Sequence, residues 1–120
     1  MATMNEVVEY VDRMKINTYT DEDKYGWIKA VESMIFRDVL GVEPPDTVVP
    51  DDADAELIAQ TPYDDIYRLY VMAMIDFHNR EFDNYNNMAL MFGERLEQFK
   101  AWYIRENRPA SNRNFRNVMG

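Results

Sequence analysis

From Tyr63 to Tyr103 apolar residues return at intervals of three and four, interrupted once, at Asn79-Arg80-Glu81-Phe82. That period keeps one face of an α-helix inward. Ile66, Leu69, Tyr70, Ala73, Met74 and Phe77 make the stripe before the interruption, with Asp64 and Asp65 in the first turn, where the helix dipole favours acids. Tyr85, Met88, Ala89, Phe92, Leu96, Phe99, Trp102 and Tyr103 make the stripe after it, and Asp83 is placed to cap that helix. A connection this short makes the two helices antiparallel neighbours, each about 27 to 36 Å long. Pro109 and the Asn- and Arg-rich run beyond it stop the second helix.

Two further helices precede this pair. Met4 to Lys15 carries Val7, Val8, Val11 and Met14 on one stripe. Thr20 can accept from a free backbone N–H at the start of the next helix, which Asp21, Glu22 and Asp23 favour electrostatically. That helix should run to about Leu40, burying Trp27, Val31, Met34, Ile35 and Val39 and turning Lys29, Glu32 and Arg37 outward, with Gly41 as its left-handed end. Residues 42–62 contain Pro44, Pro45, Pro50 and Pro62 and a run of acids with no Lys or Arg, so they read as a long acidic loop that Val48, Val49, Leu57 and Ile58 could pin down. The sequence thus predicts an all-α fold: a small bundle of about four helices in residues 1–107, with an acidic loop at 42–62 and an extended basic C-terminal tail at 108–120.

With 120 residues, 47% of them hydrophobic, one core can form and a second cannot. No run nears the ~18 apolar residues of a membrane span, and the N-terminal stretch lacks a basic segment followed by an apolar one, which predicts a soluble chain. Absence of cysteine excludes disulfides, thiolate metal sites and cysteine nucleophiles. The net charge of -9 opposes nonspecific attraction to nucleic acid. That charge is unevenly spread: residues 105–120 hold four arginines against Glu106, a net +3, so the remainder carries -12.

The familiar chemical motifs do not assemble. His78 is the only histidine, and a spacing of two sets it on a different helix face from Asp76. Asp52, Asp54 and Glu56 alternate like the opening of a calcium loop, yet Leu57 stands where glycine is required and Tyr63 where glutamate is. A solvated acidic loop is the plainer reading. Asp64 and Asp65 are adjacent and so cannot face one another as an acid/base pair. The glycines are scattered, with no phosphate-cradling loop and no nucleophile elbow. The expectation is a protein that binds other subunits, with no catalytic, cofactor or metal site.

Binding surface is better supplied. Met72, Met74, Met88 and Met91, with Tyr67, Tyr70 and Tyr85, exceed what one narrow stripe per helix can bury. Tyr67 and Met91 lie off the stripes and are predicted to meet a neighbouring subunit, as are the loop acids Asp51, Asp52 and Asp54 through a basic surface. In the tail, Arg108, Arg113 and Arg116 alternate with Phe115, Val118 and Met119, a composition suited to a groove on an acidic partner, including another copy of this chain. Nucleic-acid contact by the tail is the competing reading.

Three stretches also carry a resemblance: Asn5-Glu6-Val7-Val8-Glu9-Tyr10-Val11-Asp12; Tyr63-Asp64-Asp65-Ile66-Tyr67-Arg68-Leu69-Tyr70 running on to Ala73-Met74-Ile75-Asp76-Phe77; and Glu81-Phe82-Asp83-Asn84-Tyr85-Asn86-Asn87 followed by Phe99-Lys100-Ala101-Trp102-Tyr103. Across residues 5–107 the chain resembles the head–tail connector, or adaptor, proteins of tailed bacteriophages. The resemblance implies a dodecameric ring beneath the portal protein, made in the host cytoplasm and built into the virion neck. It further implies contacts to the portal, to neighbouring copies and to a downstream neck or tail protein through the termini and the long loop, with DNA only passing through an acidic channel. The other readings left by the residues are a tail-completion or other neck protein, and a small acidic regulator that covers a basic partner surface.

Overall fold

The structure is a computed structural model, and it describes residues 2–45 and 54–107. It is mostly helical, about 70%, with four helices and no strand among the described residues. The first helix, α1, spans Met4–Met14, and the Thr3 hydroxyl accepts from the Glu6 amide at its start. Met4, Val7, Val8 and Val11 are its buried stripe; Met14, expected on that stripe, is exposed because the helix ends there.

The second helix, α2, spans Asp21–Met34 and begins as predicted, with the Thr20 hydroxyl accepting from the Asp23 amide at 3.1 Å. A five-residue π-helical stretch, Ile35–Val39, continues it. Gly41 then takes a φ of 72°, which lets the Val42 amide turn back to the Phe36 carbonyl at 2.9 Å. Three expectations fail here: Glu32, assigned to the outer face, is buried, and Trp27 and Met34, assigned to the inner side, are only partly buried. The inward stripe of α2 includes Lys24 and Glu32 beside Ile28, Val31, Ile35 and Val39, because polar partners on other elements receive both charged groups.

The third helix, α3, spans Asp65–His78 and forms the middle of the molecule. Ile66, Tyr67, Val71 and Ile75 have no exposed surface, and Leu69 and Ala73 are also buried. This helix is apolar on more than one side, since α1 and α2 pack on one flank and α4 on the other. On the α4 side Tyr70 meets Phe92 at 5.1 Å between ring centroids, and Phe77 meets Tyr85 at 5.3 Å. Phe77 nevertheless remains 43% exposed, being at the last turn before the connection.

The fourth helix, α4, spans Phe82–Glu106, 25 residues and so about 37 Å. It begins one residue earlier than the predicted cap, so Asp83 lies within the first turn and Glu81 holds the cap position without a side-chain bond. The predicted antiparallel pair is present, and Arg80 makes its tight connection with a φ of 61°.

Between α2 and α3 the described part of the loop is fastened down. The Leu57 amide donates to the Ala2 carbonyl, and the Gln60 side chain accepts from the Ala2 amide at 2.8 Å. Leu57 and Ala59 are buried in the core. The predicted anchoring by Leu57 and Ile58 is therefore seen, whereas Val48 and Val49 lie outside the described residues.

Candidate functional site

Two places hold groups that α-helical packing alone does not explain. The first is a polar knot in the core. Glu32 on α2 accepts from the Tyr67 hydroxyl through one oxygen and from the Ile58 amide, at 3.0 Å, through the other. The Tyr67 hydroxyl in turn accepts from the Ala59 amide at 2.8 Å. Burial pushes the Glu32 carboxyl above its ordinary range, against the lowering effect of these two donors. Burial, and then the Glu32 charge, push the Tyr67 phenol strongly upward. Chemically the knot resembles an acid–phenol pair, but both side chains are enclosed, at 2% and 0% exposure. Its evident work is to tie residues 58–59 to α2 and α3.

Other ion pairs join α1 to its neighbours. Lys15 meets the enclosed Asp76 at 2.7 Å, and the buried Lys24 amine donates to Asp12 at 2.6 Å. Burial raises the Asp12 carboxyl, but the bonds from Lys24 and Asn17 more than offset it and hold it below its usual value. His78 stacks on Trp27 at 5.6 Å between ring centroids and neighbours the Tyr19 and Phe77 rings, while the Asp76 carboxylate pairs with Lys15. Among the described residues no group of three or more His, Asp or Glu is arranged to hold a metal ion.

A cleft of about 250 Å³ opens between α1 and the start of α3. There the Arg68 guanidinium lies 4.3 Å from the Tyr10 ring centroid and that of Arg13 5.9 Å from it. Glu6, Glu9 and Asp64 line the same cleft, so its charge is mixed rather than anion-selecting.

The second place is the outer side of α4. Phe99 is the helix's one buried residue, while Leu90, Met91 and Ile104 are 64%, 49% and 45% exposed. Leu90 borders an open depression with Ala89, Gly93, Glu94, Glu97 and Gln98. Gly93 forms its floor: a methyl group added there would meet nothing within 4 Å. Its backbone φ is not positive, so neither conformation nor packing among the described residues calls for glycine. A solvated helix interior would gain about 1 kcal/mol from Ala in its place.

The predicted interface residues divide accordingly. Tyr67 is a correction: its ring is wholly enclosed and its hydroxyl is used by Glu32 and Ala59, so it cannot meet a neighbouring subunit. Met91 is exposed, on the rim of a cleft shared by α3 and α4. Asp54 is exposed and accepts from Asn5 at 2.8 Å, which ties the end of the loop to α1. Asp51 and Asp52 lie outside the described residues, as do Arg108, Arg113, Phe115, Arg116, Val118 and Met119. Sequence reasoning missed Leu90 and Gly93. The available signal was an apolar residue out of step with its stripe, three residues before a glycine that ends no helix.

No protein-family model, curated protein or solved structure matches the chain.

Proposed function

We propose that the chain is a structural subunit of the virion, a head–tail connector (adaptor) at the neck of a tailed bacteriophage that bridges the portal and the next neck or tail component. One observation carries this reading: the long helix α4 buries only Phe99 and leaves Leu90, Met91 and Ile104 exposed. Leu90 and Met91 adjoin one another, and neighbouring apolar side chains on a solvated helix suit a contact with another subunit. In a ring, each copy would offer that side to its neighbour, and Met91 would belong to the contact. The acidic body, with -12 outside the last sixteen residues, would let a DNA duplex pass without adhering.

The test is location. Particles assembled in the presence of the tagged chain are imaged by cryo-electron microscopy, and density for it as a ring beneath the portal is the expected result. Density elsewhere in the particle, or none, overturns the reading. Removing residues 108–120 should abolish incorporation if the tail fastens the subunit; normal incorporation removes that role from the tail. The same charge favours one second reading, a small regulator that covers a basic protein surface. That reading requires a stable complex with such a partner in cells that assemble no particles.

A further inference from the structure

We propose that residues 57–60, the limb by which the acidic loop returns to the bundle, form a pH-gated latch that is closed on Glu32 while that carboxyl carries a proton and loosens from α2 and α3 when it ionises. The proposal rests on the enclosed knot of Glu32 and Tyr67 and not on the connector role.

The limb is held by single contacts rather than by a ladder. It belongs to no helix or strand, and three successive amides go to three different acceptors: Leu57 to the Ala2 carbonyl, Ile58 to Glu32 at 3.0 Å, and Ala59 to the Tyr67 hydroxyl at 2.8 Å. Leu57 and Ala59 are buried, while Ile58 and Gln60 are partly exposed. A short irregular segment with so little buried apolar surface opens locally at a lower free energy than the helices beneath it. Its other edge meets Ala2, whose amide donates to the Gln60 side chain, and that edge has no ionisable side chain to make its hold depend on pH.

The gate is the isolation of Glu32. The side chain is 2% exposed, and its oxygens accept from two neutral donors with no cation among the described residues beside them. An ionised carboxylate enclosed in this way is disfavoured against a hydrated one. Opening the limb withdraws the Ile58 amide from one oxygen and admits water in its place. The ionised group gains from that exchange and the protonated group does not, so ionisation shifts the limb toward its open position.

The surroundings leave Glu32 as the titrating member. From α3 it faces the Tyr67 phenol, which burial and the Glu32 charge push strongly upward, so the phenol keeps its proton across the acidic and neutral range; Asp64 acts on that phenol in the same direction. From the limb Glu32 faces backbone amides, and among the described residues no charged group of α1, α2 or α4 acts on it. Burial raises the Glu32 carboxyl above 4.5 in the closed state, the sign the geometry requires. The opening constant is then flat below 4.5, rises about tenfold per pH unit up to the closed-state value, and is flat again above it.

Hydrogen exchange of the Ile58 and Ala59 amides in the full-length chain, followed by nuclear magnetic resonance across the acidic and neutral range and divided at each pH by the rate of an unstructured chain, reads that constant. A rise of about tenfold or more with pH is expected. Urea below the unfolding transition should leave the Ala59 rate unchanged and accelerate that of Val71 in α3, which separates opening of the limb from unfolding of the molecule. Glu32→Gln should abolish the pH dependence, with the exposed acids Asp54 and Glu56 still in place. Tyr67→Phe keeps the carboxyl and removes the Ala59 acceptor; it should raise Ala59 exchange at every pH and preserve the slope at Ile58. An opening constant that does not change with pH in the parent chain, a slope that persists in Glu32→Gln, or an Ala59 amide that follows Val71 in urea each overturns the proposal. No particle enters the experiment, so its failure leaves the connector reading to be judged by location alone.

Discussion

Glu32 is a carboxylate at 2% exposure whose two recorded partners, the Tyr67 hydroxyl and the Ile58 amide, are both neutral. Its pKa in the folded chain lies above the ordinary glutamate value of 4.5, so between those two values the native state binds more protons than the unfolded one. Stability from this group is therefore greatest below 4.5 and falls as pH rises through the folded value. Glu32→Gln should remove that downward slope, as followed by urea unfolding across the acidic and neutral range. Tyr67→Phe keeps the ring but leaves the Ala59 amide and one Glu32 oxygen without their partner, at a cost of about 1 to 3 kcal/mol in the same assay. Neither residue's place could be read from periodicity. A charged side chain inside a helix stripe looks misplaced until its partner, 35 residues away in the case of Glu32 and Tyr67, is known to lie opposite.

At the scale of elements, the hairpin of α3 and α4 was the most legible part, because two long stripes and a four-residue break leave little choice of arrangement. Its details depend on tighter geometry. Arg80 turns the chain at φ 61°, a conformation that strains an L-residue and costs glycine little. Arg80→Gly should stabilise the protein by about 0.5 to 1 kcal/mol, read as a higher urea midpoint at unchanged slope. The two sides of α4 should respond very differently to truncation. Phe99→Ala empties a core position and should cost about 3 to 5 kcal/mol, whereas Leu90→Ala should change stability by less than about 0.5 kcal/mol. If Leu90→Ala proved as damaging as Phe99→Ala, the outer side of α4 would be packed rather than open.

Across the whole molecule, helical class and element order were legible, because local period and capping determine both. The layering was less so. Sequence stripes show that a helix has an inner side but not that α3 has two, one against α1 and α2 and one against α4. Nor does local pattern show that Ala2 pairs with Leu57 and Gln60, a closure across more than fifty residues. The candidate surface was half visible: Met91 was named from the sequence, while Leu90 and Gly93 gain meaning only once α4 is known to face solvent there. Unlike α1, α2 and the 57–60 segment, which are cross-linked to one another and to α3 by buried polar groups, α4 is joined to the rest along one apolar seam and by the Arg95–Asp65 pair. Such an attachment sets a hierarchy of opening. Amide hydrogens of α4 should exchange through partial detachment of that helix at a lower free energy than those of α3, whose release requires the entire protein to unfold.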